Sequence, residues 1–378
     1  MRRALITGCS GFIGFHLCRR LLADGFSVAG IDNLSDYYDP ALKRQRQAIL
    51  EADPAFSVVN DSIETPGLLE RMFRDHRPEI VVHLAAQAGV RHSIDQPRAY
   101  LSSNIVGTFE LLEAARAMPP RHMLLASTSS VYGPNERMPW RETDRTDHPM
   151  SFYAATKKAT EAMAHAYAHL YRLPVTMFRF FTVYGPWGRP DMALFKFTRA
   201  ILRGEPIDVY NRGEMQRDFT HVDDLIAAIR GLIDTPPPEG DERDERDEDV
   251  SPVAPWRAVN IGNSHPVMLG ELIAAVERAT GRPAIRRLLP MQPGDVPATW
   301  ADTSTLHRLT GLSPGTEIRK GVQDFVDWYL RHYDQKAAGM ACRRTSTCDA
   351  PPCETGQEQN LLADPPASGR AAEHRKPA

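Results

Sequence analysis

The sequence predicts an α/β protein, a doubly wound parallel sheet followed by a smaller, loop-rich lobe. Three observations carry this. Short apolar runs rich in Val, Ile and Leu alternate with stretches of helical periodicity through the first half of the chain. A glycine-rich turn joins the first apolar run to the first helical stretch. Beyond residue 180 the alternation gives way to an irregular pattern with more Pro, Gly and Arg.

The elements follow in order. "ALITG" (4–8), "SVAGID" (27–32), "FSVVN" (56–60), "IVVHLAA" (80–86) and "HMLLAST" (122–128) read as strands apolar enough to be covered on both faces. Between them, "FIGFHLCRRLLADG" (12–25) and "NIVGTFELLEAARAM" (104–118) space their apolar residues as helices do. Strand alternating with helix implies a parallel sheet between two helical layers. Residues 1–180 are expected to form this domain, with segments near 219–235 and 256–262 returning to it, and 181–335 to form the second lobe. "TPPPEGDERDERDEDVSP" is proline followed by charge and cannot bury enough apolar surface to fold, so 235–255 is expected as a solvated acidic loop. From 336 to 378 Gly, Ala, Pro, Ser and charge run without periodicity, and a disordered tail is expected. No internal repeat is visible.

With 378 residues, 42% of them hydrophobic, the chain can bury a large core and support two closely joined lobes. A net charge of −3 gives no electrostatic case for nucleic acid or an anionic membrane as partner. No apolar run approaches the roughly 20 residues that cross a bilayer, and the N-terminal run is too short for a signal peptide. A cytoplasmic location is expected. Of the five cysteines, Cys9 and Cys18 are expected as buried, reduced thiols. Cys342, Cys348 and Cys353 lack the spacing of a zinc site, and no metal is expected.

Gly8, Gly11 and Gly14 in "TGCSGFIG" form G-x-x-G-x-x-G between strand and helix. Glycine lets the backbone turn sharply and approach a phosphate, and the helix N-terminus offers free N–H groups to a pyrophosphate. This is the Rossmann-type dinucleotide arrangement, in which Phe12 and Ile13 share the turn. Asp32 lies 18 residues past Gly14 at the end of the next strand, with Asn33 after it. A carboxylate there accepts hydrogen bonds from a ribose diol and repels a 2′-phosphate, which predicts NAD over NADP. Asp61 and Ser62 in "NDSI" are expected beside the adenine, and Leu84, Ala85, Ala86 and Gln87 beside the second phosphate and ribose. Asn104 and Ser127 complete the expected cofactor contacts.

"SFYAATK" places Tyr153 and Lys157 four apart on one helix face. Before it, a strand ends in the hydroxyl-rich "STSSVYG" (127–133). Together these features resemble the extended branch of the short-chain dehydrogenase/reductase superfamily, from residue 1 to about 330. A free tyrosine titrates near 10, too high for a base at neutral pH. The resemblance implies that Lys157 favours the phenolate and binds the nicotinamide ribose, and that Thr128 shares the substrate proton. Tyr153 is then the general base while hydride passes to NAD. The 4,6-dehydratases of this branch carry Asp-Glu where this chain has Ser129 and Ser130, and the UDP-glucuronate decarboxylases carry Glu at the position of Ser130. Hydroxyls at both positions suit oxidation and return, hence epimerisation.

"GIDNLSDYYDPALKRQR", "HLAAQAGVRHSI", "RFFTVYGPWGRPDMALFKF", "QRDFTHVDDL" and "MQPGDVPATWAD" resemble the UDP-glucuronate 4-epimerases more narrowly. UDP-galactose 4-epimerases typically have Asn where this chain has Thr182, and arginines at Met291 and Gln292. The resemblance implies that Arg217 and Arg189 meet the pyrophosphate, that Asp295 reaches the uridine ribose, and that Thr182, Ser129 and Ser130, helped by Arg91, hold the hexuronate carboxylate. It also implies a homodimer through helices near 97–117 and 151–171. The competing readings are a 4-epimerase of UDP-glucose or of an N-acetylated hexosaminuronate, then a UDP-glucuronate decarboxylase, and a non-catalytic NAD-binding protein.

Overall fold

The structure, a computed structural model, describes residues 1–239, 249–291 and 296–345, with backbone alone from 334. The chain opens with β1 (Arg3–Thr7), α1 (Phe12–Ala23), β2 (Ser27–Ile31), α2 (Pro40–Glu51), β3 (Phe56–Val59), α3 (Leu68–His76) and β4 (Ile80–His83). Two short turns, α4 (His92–Asp95) and α5 (Pro97–Tyr100), lead through a π-helical turn at Leu101–Val106 into α6 (Gly107–Ala117). Then come β5 (His122–Thr128), α7 (Phe152–Tyr171), β6 (Val175–Phe180), β7 (Thr182–Tyr184), α8 (Ala193–Arg203), β8 (Ile207–Tyr210), β9 (Gln216–His221) and α9 (Val222–Ile233). The rest is β10 (Trp256–Ile261), β11 (Pro266–Met268), α10 (Leu269–Thr280), β12 (Arg286–Leu289), α11 (Ser304–Thr310) and α12 (Ile318–Thr345).

Seven strands form one parallel sheet in the order β10-β6-β5-β4-β1-β2-β3. Parallel strands need both faces covered, because each crossover lays a helix on the sheet. Phe15, Leu17 and Leu21 of α1 and Leu225, Ile229 and Leu232 of α9 cover one face. Leu69 and Phe73 of α3, Leu111, Leu112 and Ala115 of α6, and Ala164 and Ala168 of α7 cover the other. Each large side chain among them stabilises the fold by roughly 2 kcal/mol. The strand order reverses between β1 and β4, which opens a crevice at their carboxyl ends.

Residues 1–331 form one compact unit; 332–378 fall in a second, of which the end of α12 is described. Beyond residue 180 the chain is more regular than its sequence suggests. β11, β9 and β7 make a three-stranded sheet, and β12 pairs with β8. Runs of three or four residues carry too little periodicity to be read from sequence. α12 continues to Thr345, ten residues into the stretch expected to lack structure. Its Gln, Lys, Ala, Met and Arg residues favour helix without an apolar stripe to announce it. The expected acidic loop lies outside the described residues at 240–248, and the expected tail does so from 346.

Candidate active site

The glycine turn is built by exclusion. Gly8 sits at φ +73°, and a Cβ there would lie 2.7 Å from the Ala85 nitrogen. A Cβ on Gly14 would lie 2.0 Å from the Gly8 carbonyl oxygen. The turn therefore closes against β4 and against itself only with glycine. α1 starts at Gly11 with no side-chain cap, so its first N–H groups face the crevice. Asp32 is buried at the end of β2, where its carboxylate accepts from the Ser10 N–H at 3.0 Å and the Leu34 N–H at 2.9 Å.

This crevice is one end of a cavity of about 1090 Å³ that continues past Tyr153 to Lys196 of α8, Ile207 of β8 and Arg217 of β9. Gly8, Gly11, Phe12, Ile13, Gly14, Asp32, Asn33, Asp61, Leu84, Ala85, Ala86 and Gln87 line that end. Ser62 is not among the lining residues; its hydroxyl accepts from the Asn33 side-chain amide at 3.1 Å. Asn104 also sits behind the wall, buried inside the π-helical turn. It clasps Gln87, accepting from the Gln87 N–H at 2.8 Å and donating to its carbonyl at 3.1 Å.

The reacting end gathers at the carboxyl end of β5. The Ser151 side chain caps α7, accepting from the Ala154 N–H at 3.1 Å, and so sets Tyr153 in the first turn and Lys157 one turn on. Burial raises the Tyr153 phenol above its ordinary value, while the neighbouring Thr128 hydroxyl and the positive charge of Arg189 pull it down. Lys157 donates to the Ala126 carbonyl at 2.9 Å. Burial lowers its ammonium to about 8, against an opposing pull from Glu161. Thr128 donates to the Ser130 hydroxyl and accepts from the Ser130 N–H, both at 3.2 Å.

The four hydroxyls at 127–130 are not one continuous row. Ser127 donates to Glu161 Oε1 at 2.6 Å, because side chains alternate along a strand. Ser129 and Ser130 open a short 3₁₀ turn, and both line the cavity. With Thr182 and Arg217 they also border a side chamber of about 150 Å³. Arg217 donates to the carbonyls of Gln216 at 2.8 Å and Pro297 at 3.3 Å. Arg91 lies over the Tyr210 ring, 4.9 Å from its centre, and lines the same cavity. Arg189 also lines it, but paired with Asp191 through Nε at 3.0 Å and Nη2 at 2.5 Å. Asp295 lies outside the described residues.

Sequence reasoning missed a buried layer beneath β5. Glu161 holds Arg179 through two hydrogen bonds of 3.0 Å, and Arg179 donates to the Tyr132 hydroxyl at 3.1 Å. Burial and Arg179 act in opposite senses on Glu161; the guanidinium wins and its carboxyl lies below the usual value. Tyr37 and Asp191 were also missed; they occur in the quoted stretches, but nothing local in the sequence joins residues 154 apart.

Residues 4–243 match the NAD dependent epimerase/dehydratase family. A probable UDP-glucuronate 4-epimerase of Rhizobium meliloti is 51% identical over 333 residues, 88% of this chain and 98% of its own. UDP-glucuronate 4-epimerase 2 of Arabidopsis thaliana is 44% identical over 342 residues, 89% of this chain and 78% of its own. The crystal structure of a UDP-glucuronic acid 4-epimerase from Bacillus cereus, in complex with UDP-glucuronic acid and NAD, superposes with a TM-score of 0.79 at 31% identity. That match covers 88% of this chain and 100% of the other. The likeness runs through most of the chain, and the chain belongs to the NAD dependent epimerase/dehydratase family.

Proposed function

We propose that this protein is an NAD-dependent epimerase that inverts carbon 4 of UDP-glucuronate, interconverting it with UDP-galacturonate. One observation carries the reading. The Tyr153–Thr128 couple stands beside a glycine cradle, and the neighbouring wall offers the hydroxyls of Ser129, Ser130 and Thr182 and no carboxylate at those positions. The cradle fits NAD, since only glycine fills it, α1 presents uncapped N–H groups, and Asp32 stands ready for a ribose diol. When bound, NAD accepts hydride from carbon 4 and returns it. Tyr153 takes the proton of the 4-hydroxyl and gives it back, and Thr128 holds that oxygen in line. Lys157, fixed by Ala126, stands on the same helix face one turn away and completes the polar floor.

Oxidation at carbon 4 makes the carboxylate on carbon 5 a β-keto acid, prone to lose carbon dioxide. Ser129, Ser130 and Thr182 would orient it so that the breaking bond does not align with the ketone. The ring must also turn before the hydride returns, and the side chamber beside these hydroxyls gives it room. Incubation with UDP-glucuronate, read by proton NMR and mass, tests the reading. The expected product has unchanged mass and an axial 4-hydroxyl; a pentose product would favour decarboxylation instead.

The same reading includes a homodimer. Leu101 and Val106 just before α6, Phe109 within it, and Phe152, Leu170 and Tyr171 of α7 are exposed, an apolar surface that a second copy would cover. Light scattering should give twice the chain mass, and Leu101→Glu with Phe109→Glu should return the monomer.

A further inference from the structure

Tyr153, Lys157 and Glu161 are spaced four apart on α7, so they stand on one face over successive turns. The last two each hold the end of β5. Lys157 donates to the Ala126 carbonyl at 2.9 Å, and Ser127 donates to Glu161 Oε1 at 2.6 Å. One tie would leave the strand end free to pivot; two ties, on consecutive residues and consecutive turns, fix it. Glu161 is itself held. Arg179 of β6, the register partner of Ser127, donates to Oε1 through Nε and to Oε2 through Nη2, both at 3.0 Å. Its Nη1 donates to the Tyr132 hydroxyl at 3.1 Å and to the Glu142 carbonyl at 2.9 Å. The Tyr132 hydroxyl donates in turn to Asn260 Oδ1 of β10 at 2.6 Å. Lys158 stands 3.6 Å from Glu161 Oε2.

We infer that Glu161 is a positioning residue for the reaction: through Ser127 it fixes the end of β5 against α7, and so sets Thr128 against Tyr153. This inference rests on the proposed oxidation at carbon 4. Glu161 is buried and is not among the residues lining the cavity, so it reaches the reacting groups only through its neighbours. A hydrogen bond to a charged acceptor is among the strong ones. A carboxylate already fixed at both oxygens holds Ser127 to one place, and Thr128 is the next residue of the strand. A misplacement of about 1 Å can cost on the order of 10²-fold in rate, while contacts made elsewhere with the nucleotide do not feel it. The charge of Glu161 also opposes the burial that lowers the Lys157 ammonium, which agrees with a place directly behind the reacting groups.

The test uses the NAD-loaded full chain. It reads kcat and KM for UDP-glucuronate, together with the single-turnover reduction of bound NAD, followed by the near-ultraviolet absorbance of the reduced nicotinamide. Ser127→Ala removes the tie and leaves the Glu161–Arg179 pair in place. It should lower kcat and the reduction rate about tenfold or more. KM and NAD affinity should stay within about twofold, because an interaction that serves only the reacting geometry appears in kcat. Ser127→Thr restores a hydroxyl and should recover most of the loss. Glu161→Gln should lower kcat of the folded protein likewise. The double variant should fall no further than the worse single one, since both changes break the same tie. The two Ser127 variants carry the test if Glu161→Gln does not fold. Ser127 also lines the cavity, so its competing role is a direct contact with NAD. Weakened NAD affinity in Ser127→Ala, losses that add in the double variant, or an unchanged kcat overturns the inference. A wild-type protein that reduces its NAD with UDP-glucuronate but makes no UDP-galacturonate overturns the proposed activity instead, and the reduction rates of the variants still decide the role of Glu161. No reduction by either UDP-glucuronate or UDP-glucose overturns both.

Discussion

Two influences oppose each other at Tyr153. Burial favours the neutral phenol, while Thr128 and Arg189 favour the phenolate. A base must be ionised to take a proton, so the acid limb of the pH–rate profile follows this balance. Thr128→Val keeps the shape and removes the hydroxyl. The acid limb of kcat should then move to higher pH, and kcat at neutral pH should fall by about 10²-fold or more, with NAD affinity unchanged. A smaller amplitude with an unmoved limb would mean that Thr128 orients the substrate without tuning Tyr153. Tyr153, Lys157 and Thr128 were legible because local spacing and strand-end position fix them. The state of Arg189 was not, since its pairing depends on Asp191 and Tyr37, 154 residues apart, meeting in the fold.

β5 and α7 were each readable as elements, but what joins them was not. Glu161 faces Arg179 of β6 and Ser127 of β5, and such contacts have no periodicity to betray them. The ion pair is buried, with side chains 1% and 4% exposed, so removing one partner strands the other charge in the interior. Glu161→Gln should cost about 3–5 kcal/mol, seen as a lower denaturant midpoint at pH 7. The folded carboxyl titrates below its ordinary 4.5. Its contribution is therefore fully present above that value and is lost as pH falls through the folded value. The deficit of Glu161→Gln should accordingly shrink in acid. A deficit that persists undiminished there would mean that packing, and not charge, is what Glu161 supplies. Ser127 should also lose its partner, so kcat should fall if the end of β5 shifts with it.

The whole molecule couples these elements through groups that the sheet buries. The alternation of runs made a parallel sheet legible, but not its order, because β10 joins β6 from 76 residues beyond that strand's end. That order buries two histidines. His83 of β4 lies between the Thr7 hydroxyl at 2.7 Å and the Thr108 hydroxyl at 3.1 Å. His122 of β5 lies between the Ile233 carbonyl at 3.2 Å and the Thr176 hydroxyl at 2.9 Å. Burial lowers both from 6.5 to about 3. The sign follows. Between those values the unfolded chain binds a proton that the folded one refuses, so stability is complete above 6.5 and falls with pH. At pH 5 each histidine withdraws about 2 kcal/mol, roughly 4 kcal/mol together, before most carboxylates begin to titrate. The denaturant midpoint should therefore drop between pH 6.5 and 5, and His122→Gln should about halve the slope. A flat profile over that window would mean that neither histidine is held neutral in the fold, and that water or a carboxylate reaches both where the sheet now closes them off.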